Sequence, residues 1–348
     1  MSTASQTTLA DQLAQMRQQR ARSRSRVVTT ICGAVLAGFA VTLCLGQSLT
    51  PPIDVLRVLA GSDVPGASFT VGTLRLPRAI VSIMAGMSFG LGGVVFQAML
   101  RNPLASPDII GISTGASAAA VFAIVMLGWS GLAVSVVAVL AGFGVALLIY
   151  LLAWRDGVTG TRLILVGIGL SAMLESFIAY VLSRAPSWSL QDALRWLTGS
   201  VNGATLGQAF PVLASLIVFG SLLLTRQRAI EAMRLGDDSA IALGVPVARD
   251  RAIVILSAVG LIAVATAASG PIAFVAFLSG PIALRIIGSG KSPFIAAALI
   301  GALLVLIGDY VGQHLLPGRY PVGIVTGALG APYLIYLIAR SNKSGEGK

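Results

Sequence analysis

Ten long apolar segments dominate this sequence, and short polar gaps separate them. Each segment holds roughly twenty residues, the length that an α-helix needs to cross the ~30 Å hydrocarbon core of a bilayer. A helix suits that environment because it hydrogen-bonds its own backbone N–H and C=O groups. The sequence therefore predicts an all-α integral membrane protein with ten transmembrane helices. The predicted spans are residues 27–47, 79–100, 110–128, 131–153, 163–182, 209–225, 252–268, 271–287, 294–312 and 321–339.

The basic residues indicate how these spans are oriented. Of the 24 Lys and Arg residues, 18 lie in the two tails or in alternate gaps, and six lie in the other gaps. Basic residues near span ends are retained on the cytoplasmic side, so both termini are predicted to be cytoplasmic. The inner set is Arg17, Arg20, Arg22, Arg24, Arg26, Arg101, Arg155, Arg162, Arg226, Arg228, Arg234, Arg249, Arg251, Arg285, Lys291, Arg340, Lys343 and Lys348. The outer set is Arg57, Arg75, Arg78, Arg184, Arg195 and Arg319.

Composition agrees with a membrane protein, since 56% of the residues are hydrophobic and 11% are charged. The net charge of +11 is carried by the inner gaps and tails. Anionic lipid headgroups are therefore the expected partner, and nucleic acid is not, because no soluble basic domain remains to bind it. The predicted organisation is a cytoplasmic tail at 1–26, a ten-span domain at 27–340 and a second tail at 341–348.

No catalytic, metal or cofactor site is predicted. His314 is the only histidine, and Cys32 and Cys44 stand far apart on one predicted helix. Residues 288–292 end as a phosphate-binding loop does, but Arg285 occupies the position of the glycine that this motif needs. The sequence also shows no arrangement of nucleophile and base. The protein is therefore not expected to be an enzyme.

The second span is crowded with small residues. Gly86 and Gly90 form a Gly-x-x-x-Gly pattern, and Gly93 follows one turn later. Such residues allow helix backbones to approach closely in a membrane. Ser88 and Gln97 add polar groups to the same helix, so lining of a transport route is the alternative to simple close packing.

The eighth span contains a sequence that occurs twice. Ser-Gly-Pro-Ile-Ala at 269–273 is repeated at 279–283, where the proline falls inside the span and removes a helix hydrogen bond. A kink that aids packing and an element that lines a pathway both remain open. For the lone carboxylates Glu175 and Asp309, a hydrogen-bonded structural role is favoured over a proton relay. The pathway candidates are Ser88, Gln97, Gly280 and Pro281.

Two polar gaps are long enough to hold helices. The inner gap predicts one helix over 229–235, ended by Gly236, and a second from Asp237 or Asp238 as N-cap to Leu243, ended by Gly244. A docking surface and a merely solvated loop are both compatible with that pattern. The outer gap predicts a short amphipathic helix over 191–197.

Four motifs together resemble a known family. They are Leu-Arg-Leu-Pro-Arg at 74–78, Asn-Pro-Leu-Ala-Ser-Pro at 102–107 followed by Gly111, the segment 235–245, and the pair 321–326 and 329–332. Their order on a ten-span chain resembles the permease subunits of the type II ABC importers for iron–siderophores, haem and vitamin B12. The resemblance covers about residues 27–340 and implies the type II ABC importer permease fold.

The resemblance also implies roles for individual residues. The segment 229–244 would dock on the ATPase, through Ala229, Leu235, Gly236, Asp237, Asp238, Ala242, Leu243 and Gly244. Arg75, Arg78 and Arg319 would receive acidic groups of a substrate-binding protein. Asn102, Leu104, Thr159 and Gly160 would form a cytoplasmic gate.

The implied assembly contains a second permease, identical or related, two cytoplasmic ATPase subunits and an extracytoplasmic binding protein, in the bacterial cytoplasmic (inner) membrane. Two departures from the family pattern bear on the substrate and on docking. Gly280-Pro281 replaces a common Pro-His, which favours iron–siderophores over vitamin B12, and Gly312-Gln313 stands where many members carry Ala-Arg. Import of haem or vitamin B12 by the same machinery is the alternative substrate. An ion-coupled secondary transporter is the alternative from another class, but it would need paired intramembrane charges.

Overall fold

The computed structural model describes residues 9–108, 111–153, 160–288 and 292–345, and this part of the chain is helical with no β-strand. Two π-helical segments, Ser68–Arg75 and Leu216–Gly220, continue directly into α-helices. The α-helices are α1 Leu9–Cys44, α2 Pro52–Leu59, α3 Leu76–Met99, α4 Ile112–Met126, α5 Leu132–Ala153, α6 Gly160–Ser183, α7 Ser187–Leu197, α8 Leu206–Ser215, α9 Ser221–Thr225, α10 Gln227–Met233, α11 Asp237–Ala242, α12 Val247–Ser269, α13 Val275–Ile287, α14 Phe294–His314 and α15 Val322–Gly345.

Every predicted span contains a helix. Seven helical segments are long and apolar enough to cross a membrane: Arg22–Cys44, Ser68–Met99, Leu132–Ala153, Arg162–Ser183, Leu206–Thr225, Val247–Ser269 and Phe294–His314. Shorter apolar helices, Ile112–Met126, Val275–Ile287 and Val322–Leu337, occupy the other three predicted positions. The all-helical membrane architecture is thus confirmed, whereas the count of ten crossings stays a prediction.

Helix α3 forms the centre of the fold. It packs against α8, α12, α13 and α14, and most of its apolar segment is buried. A Cβ atom at Gly86 or Gly90 would overlap the backbone of Gly301 or Ala297 on α14, and one at Gly93 would overlap Ala276 on α13. The predicted close approach of helices at these glycines is confirmed. Such contacts supply van der Waals attraction where lipid offers no hydrophobic driving force between helices.

The two copies of Ser-Gly-Pro-Ile-Ala adopt different structures. The first copy ends α12, with Gly270 at φ +70°, and leads through Phe274, at φ +65°, into α13. In the second copy Pro281 lies inside α13, as predicted. Helix α13 has only 13 residues, about 20 Å of helix. Its segment therefore combines a short helix with the non-helical stretch 270–274.

The helices α1, α5, α6 and α8 lie at the outside of the fold. Only between 22% and 28% of their apolar windows is buried within the chain. Large apolar side chains such as Leu140, Met173 and Phe210 are exposed there. The chain itself does not cover these apolar faces, and the interior of a membrane contains no water. In a membrane they therefore contact lipid or another subunit.

Candidate functional site

The inner polar gap forms two short helices at the positions predicted, to within two residues. Helix α10 ends at Met233, and α11 runs from Asp237 to Ala242. Gly236, at φ +120° and ψ 153°, joins them, and Gly244 follows at φ +82°. These backbone angles strongly favour glycine. Gly244 directly follows the C-cap of α11, as predicted, whereas α10 ends two residues earlier than predicted and Gly236 is the N-cap of α11.

The same loop buries one face and exposes another. Ile230, Met233 and Ala240 are buried, which seats the loop on the membrane domain. On the opposite side, Leu235, Ile241 and Leu243 are 70%, 60% and 66% exposed. We call these three residues the coupling patch. Single exposed leucines are ordinary, but an apolar group on a loop that is otherwise well anchored is typical of a protein-binding surface.

Asp237 ties this loop to the membrane helices. Its carboxylate accepts hydrogen bonds from Arg101, at 2.8 Å, and from Arg251 at the start of α12, at 2.7 and 2.8 Å. The prediction that Asp237 or Asp238 caps α11 is wrong, because Gly236 holds the N-cap position and no side chain bonds the free N–H groups there. The carboxylate of Asp237 bonds two guanidinium groups instead of a backbone N–H, because such charge-assisted bonds are stronger.

Arg101 connects the inner end of α3 to both short helices. Besides its contact with Asp237, its Nε donates to the carbonyl oxygen of Met233 at the end of α10, at 3.1 Å. Its own backbone has φ +51°, which is uncommon for a residue with a side chain. A second ion pair, Arg226 to Asp250 at 2.9 Å, joins α10 to α12 on the other side of the loop.

Two of the predicted gate residues follow Arg101 directly. The side-chain oxygen of Asn102 accepts the N–H of Leu104 at 2.9 Å, which closes a tight Asx turn. The N–H of Asn102 also bonds the carbonyl of Gln97 at 3.1 Å. Gly160 begins α6, and Thr159 lies outside the described residues. The structure thus places Asn102 and Leu104 in one turn beside the coupling helices, while their action as a gate stays a prediction.

A cavity of about 690 Å³ lies against this turn and includes Leu104 in its lining. Its walls come from the loop 104–108, helices α4, α6, α7, α13 and α15, and the non-helical stretch before α13. The lining residues are Leu104, Ser106, Asp108, Ser113, Thr114, Ser117, Glu175, Ile178, Leu197, Pro271, Ile272, Ala273, Phe274, Phe277 and Leu334. The four predicted pathway residues are not among them.

Asp108 organises the loop at one wall of this cavity. Its carboxylate accepts hydrogen bonds from Ser113, at 2.7 Å, and from Ser106, at 3.2 Å. Burial raises the pKa of the Asp108 carboxyl, because desolvation disfavours the charged form, and the two hydroxyl bonds oppose that shift. Glu175 differs, since the described residues offer it no hydrogen bond or ion pair, and the predicted hydrogen-bonded role is not seen for it.

Three of the pathway candidates meet at the proline inside α13. Pro281 has no N–H, so the carbonyl of Phe277, four residues earlier, lacks its helical donor. Gln97 of α3 fills that place, with its Nε2 donating to Phe277 at 2.9 Å. Gly280 lets the amide approach, because a Cβ there would overlap its oxygen. Gln97 also lines a second cavity, of about 440 Å³, whereas Ser88 is fully buried and donates to the carbonyl of Met84.

The three predicted docking arginines have different surroundings. Arg75 donates to the carbonyls of Leu43 and Ser48, both at 2.8 Å, and so holds the chain that follows α1. Arg78 forms a bidentate pair with Asp309 of α14, with both distances 2.6 Å.

The guanidinium groups of Arg75 and Arg78 are thus already engaged inside the chain, on different partners. The structural role predicted for Asp309 is confirmed. Arg319, in contrast, is exposed after α14, with no hydrogen bond or ion pair to the described residues. Docking of a partner protein on any of the three stays a prediction.

Sequence reasoning did not single out the hydroxyls of the large cavity. Ser113, Thr114 and Ser117 lie on one turn of an otherwise apolar helix. Their spacing of one, three and four residues places them near one another on α4. This polar turn is the sequence signal that could have indicated a site. Only the fold shows that the turn and Glu175 line the same cavity.

Comparison with known proteins agrees with this geometry. The model of the FecCD transport family matches residues 34–340. The ferric enterobactin transport system permease protein FepG of Escherichia coli (strain K12) is 39% identical, over 83% of this chain and 88% of that protein. The iron(3+)-hydroxamate import system permease protein FhuG of Bacillus subtilis (strain 168) is 34% identical, over 88% of this chain and 95% of that protein.

Among solved structures, one that covers most of this chain is described as an inward-facing conformation of a metal-chelate type ABC transporter. It superposes with a TM-score of 0.82 at 26% identity, over 91% of this chain and 99% of that one. The similarity therefore extends over nearly the whole helical fold described above.

Proposed function

We propose, from the premise that this chain belongs to the FecCD transport family, that it is the membrane permease of an ABC importer for iron(III)–siderophore complexes. The printed functions of FepG and FhuG, ferric enterobactin transport and iron(3+)-hydroxamate import, support the substrate class. The observation in this chain that carries the proposal is the coupling patch, an exposed apolar surface held to α3 and α12 by Arg101, Asp237 and Arg251.

The proposed orientation has ten crossings with both termini in the cytoplasm of a bacterium, in its inner membrane. The 18 to 6 distribution of basic residues supports it, as does the helix found in each predicted span. In this orientation α10 and α11 lie inside the cell, and α7 lies outside.

In the proposed assembly two permeases pair, and two ATPase subunits bind the 229–244 loops. ATP is hydrolysed by those partners and not by this chain. Leu235, Ile241 and Leu243 would enter a recess on the ATPase, and the buried Ile230 and Met233 would transmit the force to the membrane domain. An apolar patch on a rigid support binds at a low entropic cost, because few side chains have to be ordered.

The proposed route of that force is short. Movement of α10 and α11 displaces Arg101, which bonds both of them, and Asn102 and Leu104 follow it in sequence. The turn at 102–104 therefore changes position together with the coupling loop, which would open or close the cytoplasmic gate. A substrate-binding protein delivers the chelate from outside, and Arg319 is the best-placed of the three arginines to receive its acidic groups.

Uptake of radioactive iron by cells with and without this gene tests the function. We expect gene-dependent uptake of at least one ferric siderophore, and its loss when Leu235 and Leu243 are both replaced by Asp, since charge at the patch prevents docking. The amount of the variant recovered in the membrane fraction, compared with the wild type, controls for membrane insertion. Uptake that survives ATP depletion but stops when the ion gradient collapses would favour a secondary transporter instead.

A further inference from the structure

The large cavity is of a size that fits a small organic chelate. Its volume of about 690 Å³ lies within the range of about 300–1,000 Å³ that is usual for small-molecule sites. Apolar groups of Ile272, Phe274, Phe277 and Leu334 form much of the wall, and polar groups cluster on α4, α6 and the 104–108 loop. A site of this kind combines an apolar surface with a few groups that select the ligand.

The polar groups of this wall are either acidic or neutral. They are the carboxyls of Asp108 and Glu175 and the hydroxyls of Ser106, Ser113, Thr114 and Ser117. None of the described lining residues is Lys, Arg or His. In a chain with a net charge of +11 this is a marked local exception. Such a lining attracts positive charge and hydrogen-bond donors, and it repels anions.

Glu175 contributes most to this field. The carboxylate of Asp108 is already bonded by Ser106 and Ser113, whereas Glu175 has no hydrogen bond or ion pair among the described residues. It also lies within α6, eight residues before the end of that helix at Ser183. A carboxylate at that depth is costly against lipid, so in the assembly it faces water, protein or a passing ligand.

From this lining we propose that the cavity selects iron chelates with a neutral or cationic, donor-rich surface and disfavours polyanionic ones. The proposal rests on the function proposed above and adds the charge class of its substrate. Iron(III) bound by three hydroxamates is neutral, because three single negative charges balance the metal. A free amine on the ligand makes the complex cationic, whereas three catecholates leave three negative charges.

The test uses two chelates that differ in one charge. Uptake of ⁵⁵Fe is measured in cells that carry the complete transporter, with a linear trihydroxamate that bears a free amine and with its N-acetylated form. We expect the ratio of amine to acetyl uptake to fall about fivefold in Glu175→Gln, as the loss of one nearby charge across a partly aqueous cavity implies. Any preference of the binding protein cancels, since the same binding protein serves both permeases.

Two further variants and one further chelate complete the test. Glu175→Asp retains the charge and should retain the ratio, and Asp63→Asn, which removes an exposed carboxylate that does not line the cavity, should also leave it unchanged. A ratio that is the same in the wild type and in Glu175→Gln would overturn the proposal.

The ferric tricatecholate distinguishes failure of this inference from failure of the function. Removing a negative charge should favour an anionic chelate, so tricatecholate uptake relative to the acetylated trihydroxamate should rise in Glu175→Gln. A relative uptake that does not rise overturns the charge class and leaves the importer function standing. If neither these three chelates nor any other ferric siderophore shows gene-dependent uptake, the proposed function fails and this inference fails with it.

Discussion

At the scale of single residues, an unpaired polar group inside a membrane costs several kcal/mol of stability, because no water is there to bond it. Gln97 and Arg78 each pair one such group. Gln97 supplies a donor to the carbonyl that Pro281 leaves free, from a different helix. Arg78 neutralises Asp309, whose side chain is only 3% exposed. Neither partnership could be read from the sequence, since 180 and 231 residues separate the members of each pair.

The hydrogen bond from Gln97 to Phe277 predicts that a second substitution can restore stability lost by a first. Gln97→Leu should lower stability by about 1–3 kcal/mol, because it leaves the Phe277 carbonyl without a donor. Adding Pro281→Ala restores a backbone N–H to the same carbonyl and should recover part of the loss. Thermal unfolding of the purified protein in detergent measures both, and strictly additive effects would contradict the shared role of Gln97 and Pro281.

The pair of Arg78 and Asp309 predicts a large loss on removal of one partner. Arg78→Ala or Asp309→Ala should each destabilise by about 3–5 kcal/mol, because an uncompensated charge is left in a buried place. Replacing both, with Arg78→Met and Asp309→Leu, should cost less than either single change. A double variant that is as unstable as the sum of the singles would show that the two groups do not depend on each other.

The same pair changes how docking should be tested. Reversing the charge of Arg78 would place two negative groups together and damage the fold before any partner is involved. Arg319→Glu avoids that problem, since Arg319 is exposed and has no partner among the described residues. We expect it to slow association with the binding protein, more strongly at low salt, as rim charges do. Association kinetics at two ionic strengths measure this, and an unchanged rate at low salt would exclude Arg319 from docking.

At the scale of elements, the coupling helices depend on two glycines. Gly236 and Gly244 have φ values of +120° and +82°, so a β-branched residue at either position strains the backbone. Gly236→Val with Gly244→Val should abolish co-purification of the ATPase while the membrane helices still insert. Gly144→Val on α5 is the control, because a Cβ there meets nothing within 4 Å. Full ATPase recovery with the double variant would exclude this loop as the docking element.

The sequence predicted elements better than it predicted their partners. Apolar length placed all ten helical segments, and glycine placed the junction between α10 and α11 and the turn after α11, because both signals are local. The identical copies of Ser-Gly-Pro-Ile-Ala mark the limit, since one forms a loop and the other a helix. The wrong prediction that Asp237 caps a helix has the same cause. The arginines that bond its carboxylate come from positions 101 and 251, and a local pattern does not contain them.

At the scale of the whole molecule, orientation in the membrane is the property that the helices alone do not fix. We predict that a cysteine at Gln227 reacts with an impermeant thiol reagent only from the cytoplasmic side, and one at Ser187 only from outside. The two native cysteines, Cys32 and Cys44, are free and must first be replaced. Labelling of both positions from one side would exclude the ten-span orientation.

The site was less predictable than the fold for a physical reason. Family motifs indicated Asn102, Leu104 and the 229–244 loop, and the structure brings these together through Arg101. The cavity lined by Ser113, Thr114 and Glu175 has no continuous motif, because its walls come from helices far apart in sequence. A cavity is a property of how helices are arranged, so a pattern along one helix shows only its polar turn.

Helix α3 is attached to α14 along much of its length. The Arg78–Asp309 pair fastens the two helices near one end, and the contacts at Gly86 and Gly90 bring their backbones together farther along. At both glycines the two backbones are already in contact and cannot approach further, so we expect α3 and α14 to move together as one rigid body. Arg101 follows α3 at the end that the proposed orientation places in the cytoplasm. If the coupling loop tilts this rigid body at one end, its opposite end moves in the opposite direction. A movement on one side of the membrane would then reach the other side without any rearrangement within α3 and α14.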